Sequence, residues 1–329
     1  MTTLLIIVIV FALGFDFLNG IHDSSNIVAT MISSRAFSPR VALGVTAVAE
    51  FSGPFIFGVA VANTIGNEIA VASAITITVL LAAITAAILW NLLTWYLGLP
   101  SSSSHALIGG FIGAVAIGAG WDKIMLGGLE KVLIALFVSP IIGFAFGFII
   151  NRLITFLFSQ STPRVGWLFK RGQIVTAVAL ALSHGTNDAQ KTMGIITLAL
   201  VTGGVLSEFA VPLWVIVACA GMISLGTALG GWRLIRTLGA KFYKIRPVDG
   251  FNAQLASAVV ILGSSILGGP VSTTQVVSTS IMGVGAAHRF SKVRWGVAVD
   301  IAVAWLLTIP VSGLMAAGIY WVLTRVIPG

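Results

Sequence analysis

The stretches NGIHDSSN, residues 19–26, and SHGTNDAQK, residues 183–191, decide how this chain is read. Each is a polar cluster inside a long apolar run. Gly20-Ile21-His22-Asp23 aligns with Gly185-Thr186-Asn187-Asp188 at an offset of 165 residues. A second pair follows in the same order: Pro100-Ser101-Ser102-Ser103-Ser104-His105 aligns with Pro270-Val271-Ser272-Thr273-Thr274-Gln275 at an offset of 170. Blocks kept in one order at a nearly constant offset mark an internal duplication.

Outside these clusters the chain is strongly apolar. Of 329 residues 57% are hydrophobic and 9% charged, and the mean hydropathy is +1.06. Soluble domains run near a quarter charged, so the solvent here is the bilayer. The 37 glycines and 10 prolines suit closely packed, locally broken membrane helices. The net charge of +8 sits in short links between apolar runs and reads as a topology signal rather than a nucleic-acid surface. The single cysteine, Cys219, excludes a disulfide framework and a cysteine-rich metal site within one chain. The opening MTTLLIIVIVFALGF has neither the basic start nor the cleavage motif of a signal peptide, and is expected to be a retained first helix.

A hydrocarbon core about 30 Å thick needs spans near 20 apolar residues. Ten candidates are predicted, at 3–36, 41–63, 69–97, 99–119, 130–156, 173–202, 211–232, 252–268, 270–287 and 295–325. The first, third and sixth are longer than one straight span, so tilt or a break must absorb the excess. In the first and sixth the break is expected at the polar clusters. The fold class is thus an all-α integral membrane protein of about ten transmembrane helices with interrupted or re-entrant segments, in two inverted-topology repeats. The expected halves are 1–158 and 173–329, joined by a short cytoplasmic linker over 159–172.

The inversion is read from the charges, because cytoplasmic loops are enriched in Lys and Arg. The loop with Arg35 and Arg40 corresponds to one with only Glu208. The Glu68 loop corresponds to Lys241, Lys244 and Arg246, and the balanced Asp122/Lys123/Glu130/Lys131 link to Arg289, Lys292 and Arg294. Five crossings per half place the cluster Arg152, Arg164, Lys170 and Arg171 inside. Inverted repeats with interrupted helices are the architecture of secondary transporters, whose site lies at the midplane between the repeats.

An ionisable group inside a bilayer costs roughly 2.5–3.5 kcal/mol on insertion scales, so each one needs a reason. Asp23, Asn26, Asn187 and Asp188 supply the hard oxygens a small cation such as sodium prefers, and the carboxyls could carry a proton instead. A carboxylate capping a broken helix is the structural alternative, and the symmetric recurrence of Asp23 and Asp188 favours function. Glu50 has no acidic mate in the second half, and reads as a coupling-ion ligand or a buried interhelical bond. Ser101–Ser104 and Ser272, Thr273 and Thr274 put small hydroxyls at the start of a helix, an end that suits phosphate. Lys191, three residues after Asp188, either neutralises it or meets an anionic substrate. His22, His105 and His184 are not spaced as a metal motif and read as hydrogen-bond donors within a break, while Asp16 and Asp300 read as interhelical hydrogen-bonding groups. No nucleophile and base pair is visible, so an enzyme is not expected.

LNGIHDSSNIVATMISSRAFSPR, GLPSSSSHALIGG, LSHGTNDAQKTMGI and GGPVSTTQ together resemble the inorganic phosphate transporter (PiT) family, in its short bacterial low-affinity branch, over essentially the whole chain. The resemblance implies symport of phosphate with sodium or protons, through a site made by the two Asn/Asp segments and the two Ser/Thr hairpins. Substrate contacts would come from Ser101, Ser102, Ser103, Ser104, Asn187, Ser272, Thr273, Thr274 and Lys191, and coupling-ion contacts from Asp23, Asn26, Asp188 and Glu50. Asp23 and Asp188 would hold sodium if sodium is the driver. Two positions depart from the family pattern: His22 stands where many members have Asn, and Gln275 replaces a His. A sulfate or related oxyanion permease and a passive anion channel are the alternatives. The expected setting is a multi-pass protein of the cell (inner) membrane, with no cofactor beyond its coupling ion. Its partners would be phosphate, the ion, the bilayer and a second copy in a homodimer, and no nucleic acid.

Overall fold

In a computed structural model, which describes residues 3–99, 101–162, 165–230 and 245–326, the chain is all helical apart from short turns and one isolated bridge. Eleven α-helices occur among the described residues: α1 (Thr3–Ser33), α2 (Pro39–Phe57), α3 (Ala60–Asn67), α4 (Ile77–Leu97), α5 (Ser103–Ala119), α6 (Leu126–Leu157), α7 (Val165–Thr202), α8 (Leu213–Leu229), α9 (Pro247–Ile266), α10 (Thr273–His288) and α11 (Trp295–Val326). Six segments are long and apolar enough to cross a membrane by length and composition, and they belong to α1, α2, α4, α6, α7 and α11. Pro100, Arg164, Lys241 and Lys244 lie outside the described residues, as does the side chain of Asp300.

Several of the predicted spans need correction. The polar clusters do not break their helices, because α1 runs unbroken for 31 residues and α7 for 38. The breaks lie in their neighbours. The expected span 41–63 is two helices, α2 and α3, parted at Gly58, which adopts φ +79°. A broken helix inside a membrane must find partners for its freed backbone groups. Here Gln190 of the second polar cluster supplies them: its amide nitrogen donates to the Gly58 carbonyl at 2.5 Å, and its oxygen accepts from the amides of Val61 at 2.8 Å and Ala62 at 3.3 Å. The excess length of span 69–97 is likewise not α-helix, and only Ala72–Ala74 within it form a 3-10 turn. Residues 69–71 pair with 123–125 through Val71 N to Lys123 O at 3.0 Å and Met125 N to Ile69 O at 2.9 Å. α7 starts at Val165, ahead of the expected span 173–202.

That pairing closes a hairpin. α4 leaves the end marked by Glu68, and α5 returns to it at Ile124. α9 and α10 form a second hairpin whose base joins Arg246 to His288 at 2.9 Å. α6 links the two ends, starting beside Ile69 and reaching Asn151, which lies 3.5 Å from His288. The hairpins therefore open toward opposite ends. α5 and α10, with 17 and 16 residues, extend roughly 24–26 Å, short of the ~30 Å core, and so begin inside it. Ser102 and Ser272 cap them, accepting from His105 N at 3.2 Å and Gln275 N at 3.4 Å.

The buried apolar side chains fall into two clusters. One gathers Phe15, Val61, Ile65, Ala189, Met193 and Ile124 toward the Glu68 end; the other gathers Ile27, Met31, Leu180, Val271, Ile245 and Val293 toward the Arg246 end. Between them lies a polar layer made from the two clusters and the two hairpin tips. Charge divides along the same axis: Arg35, Arg40, Arg152, Lys170, Arg171, Arg246, Arg289, Lys292 and Arg294 accompany the Arg246 end. That is the bias of a cytoplasmic face.

α2 crosses α7 where Gly185 meets the backbone carbonyl of Glu50, a contact that leaves no room for a Cβ. Gly185→Val is expected to force these helices apart at a cost of about 1–3 kcal/mol. The check is a lower melting midpoint for the purified protein, with Gly166→Val on an uncrowded face as the control that should not move it.

Candidate functional site

The polar layer is organised around α7, where His184, Asp188 and Lys191 follow at spacings of four and three residues and so share one face. α1 brings Asp23 and Asn26 to this face, α2 brings Glu50, and the tip of the second hairpin brings Thr273 and Thr274. Their exposures run from 0 to 2%, so water has no surface contact with the group in this conformation.

Asp23 and Asp188 are bridged rather than separated. Thr273 Oγ1 donates to Asp188 Oδ2 at 2.8 Å and lies 3.3 Å from Asp23 Oδ2. Thr274 Oγ1 donates to Asp23 Oδ1 at 2.9 Å, and Asn26 Nδ2 donates to the same carboxylate oxygen at 2.8 Å. His184 Nε2 stands 2.8 Å from Asp188 Oδ2 and 3.5 Å from Asp23 Oδ2, while its Nδ1 faces Glu50. Asp23, His184 and Asp188 each offer a ligand atom, all within 4.8 Å of one another.

Lys191 completes the group from the other side. Its ammonium pairs with Asp188, donates to Ser104 Oγ at the start of α5, and donates at 2.9 Å to the Val271 carbonyl at the second hairpin tip. One side chain thus joins a carboxylate to both hairpins. Formally three carboxylates, Asp23, Glu50 and Asp188, share this layer with Lys191 and with His184, both of whose ring nitrogens lie against carboxylates, so that even with the imidazole counted as a cation one negative charge is in excess. Asn26 Oδ1 and Glu50 Oε2 are buried without a hydrogen-bond partner. Spare negative charge and spare oxygens are what a small hard cation uses. The amide-rich starts of α5 and α10, next to Lys191, are what an anion uses.

The structure brings together Asp23, Asn26, Glu50, Asp188, Lys191, Ser104, Thr273 and Thr274. It sets the remaining predicted residues in supporting places. Asn187 turns away to donate to Ser265 on α9 at 2.8 Å. Ser101 donates to Thr94 on α4 at 2.8 Å, Ser102 and Ser272 cap helices, and Ser103 is buried at the start of α5. Asp16 accepts from Thr192 across α1 and α7, the interhelical role read for it. Gln275 lies 3.4 Å from His105. The residue that sequence reading underrated is His184, read only as a hydrogen-bond donor. Its position one turn before Asp188 was the available signal.

Because Lys191 and Asp188 neutralise each other out of reach of water, removing one leaves a bare charge. Lys191→Met is expected to lower stability by roughly 3–5 kcal/mol. The Lys191→Met/Asp188→Asn double variant should recover most of that loss in the same denaturation assay.

Sequence comparison places this geometry among known proteins. A profile described as the phosphate transporter family matches residues 19–316. A probable low-affinity inorganic phosphate transporter of Bacillus subtilis is 45% identical over 327 residues, covering 98% of each chain. One of Rhizobium meliloti is 45% identical over 320 residues, covering 97% of this chain and 96% of that one, and one of Mycobacterium leprae is 46% identical over 324 residues, covering 97% and 78%. Among solved structures, one described as the sodium-dependent phosphate transporter superposes with a TM-score of 0.90 at 25% identity, over 99% of this chain and 100% of that one. A multi-pass membrane protein of this fold, matched over nearly its full length, belongs to the phosphate transporter family.

Proposed function

We propose that the chain is a secondary carrier of inorganic phosphate that moves the anion together with sodium across the cell membrane. The single observation that carries this reading is the bridged pair Asp23 and Asp188, held with His184 between the starts of α5 and α10. Sodium is cargo rather than a resident ion. Asp23, Asp188, Asn26, Thr273 and Thr274 provide its oxygens, and the sodium-dependent structural neighbour supports the choice of ion. The phosphate is taken by Lys191, Ser104 and the amide ends of the two hairpins, where Ser101–Ser103 and Ser272 shape the helix starts.

Charge gives the coupling its physical basis. A phosphate dianion entering a site with formal excess negative charge meets repulsion, and sodium bound first removes it. The anion then binds well only after the cation, which is the requirement for symport.

We read residues 1–158 and 173–329 as two halves inverted relative to each other, with the link between them on the cytoplasmic side. The opposite directions of the two hairpins and the cation-rich Arg246 end support that reading. The buried site is a closed intermediate, and opening alternates by movement of one hairpin tip at a time. Carriers of this kind need no covalent chemistry.

Asp23→Asn and Asp188→Asn are each expected to reduce phosphate uptake to background while the protein still inserts in the membrane. Normal uptake by both variants rejects the assignment. In proteoliposomes, an imposed sodium gradient should accumulate labelled phosphate above equilibrium, and excess sulfate should not compete. Accumulation driven by a pH gradient without sodium would replace sodium with the proton, and mere equilibration would make the protein a channel.

A further inference from the structure

The polar layer accounts for one set of charges, and a second set gathers around the buried Asp249 at the Arg246 end. A cavity of about 790 Å³ is lined there by Arg246, His288, Arg289, Ser291 and Lys292. Its wall is held in place from behind. Asp249, whose side chain is fully buried, accepts from the Arg246 backbone at 3.1 Å and from Nε and Nη2 at 3.2 Å each. The same carboxylate lies 2.8 Å from His288 Nε2. Asn252 donates to Asn151 at 2.8 Å, and Asn151 lies 3.5 Å from that histidine nitrogen. The guanidinium and imidazole are therefore preorganised rather than waving in solvent.

The formal charge is selective. Among the described residues that line it, Arg246, Arg289 and Lys292 contribute three positive charges and Asp249 behind them one negative, an excess of two positive charges before the histidine is counted. That matches a phosphoryl dianion, for which a guanidinium fork, an ammonium and a serine hydroxyl are suitable partners. The depth also fits. Phe290 and Trp295 stack at 5.9 Å with 60% and 42% of their surfaces exposed, and such aromatics sit at headgroup level.

We infer that this cavity is a binding site for a phosphoryl anion, separate from the transport site, that clamps the base of the second hairpin from the cytoplasmic face. Arg246 precedes α9 and His288 ends α10, so an anion held by both ties the two legs together. The far end of α10 carries Thr273 and Thr274, the bridge between the site carboxylates. Occupancy at the base thus stiffens the element whose tip must move. The phosphoryl group has two sources, free cytosolic phosphate or the headgroup of an anionic phospholipid, which present the same chemistry.

The test places the full chain in nanodiscs of phosphatidylcholine and follows its melting midpoint against inorganic phosphate, and separately against phosphatidylglycerol added to the disc. Wild type is compared with Arg289→Gln/Lys292→Gln and with the charge-keeping Arg289→Lys/Lys292→Arg. Phosphate at the transport site shifts all three alike, so the difference between them reports this cavity. The Gln pair is expected to need at least about fivefold more of one probe for the same shift, and the charge-keeping pair to respond as wild type does. A difference with phosphate alone names the soluble anion as the ligand, and one with phosphatidylglycerol alone names the lipid. Identical responses of all three proteins to both probes overturn the inference. The sodium-coupling reading stands or falls separately, on uptake by the Asp23 and Asp188 variants.

Discussion

Charge without water is the constraint on which the rest of this structure depends. Asp23, Glu50, Asp188, His184 and Lys191 come from α1, α2 and α7 and pair with one another, one negative charge in excess, in a buried layer. Each is costly in lipid and tolerable only beside the others. Their mutual dependence fixes how three long helices approach, and through Thr273, Thr274, Ser104 and Val271 it fixes where both hairpin tips must stop. Apolar packing then fills the space on either side as two clusters rather than one continuous core. A layer of this kind is a plane along which the molecule can part, because the apolar contacts on each side close among themselves.

Backbone satisfaction works by the same exchange between elements. Polar side chains of the continuous helices serve the interrupted ones: Gln190 completes the break between α2 and α3, and Lys191 with Ser104 completes the Val271 carbonyl at the second tip. The uninterrupted helices keep their own ladders intact and lend their side chains outward. α1 and α7 therefore combine polar middles with unbroken helices of 31 and 38 residues.

Much of this was legible in the sequence. Composition dictated the bilayer, the apolar runs located helix along each expected span, and the duplicated motifs identified Asp23, Asp188, Thr273 and Thr274 before their contacts were known. The misreadings share one cause. A polar cluster in an apolar run signals that hydrogen-bonding capacity is needed nearby, but not which chain segment needs it. NGIHDSSN and SHGTNDAQK were read as broken because their polarity was assigned to their own backbones, whereas the open backbone lay at Gly58 and at the tips. Asn187 stands apart from this group for a related reason. Its neighbour Asp188 faces the site, and one residue along a helix turns a side chain by about a quarter turn or more, here onto Ser265. His184 lay one full turn away and shared the face.

Gln190 ties two regions that would otherwise be mechanically independent. It sits two residues beyond Asp188 on the same helix, and its amide grips the Gly58 carbonyl ahead of α3 and the Val61 and Ala62 amides in its first turn. Any rotation of α7 that re-aims the carboxylate therefore drags this grip along its circumference, and α3 must follow or lose its end bonds. The joint behaves as a linkage rod: a small turn at the centre of the molecule becomes a displacement near the opposite surface from the cationic cavity, without an intervening chain of rearranged side chains.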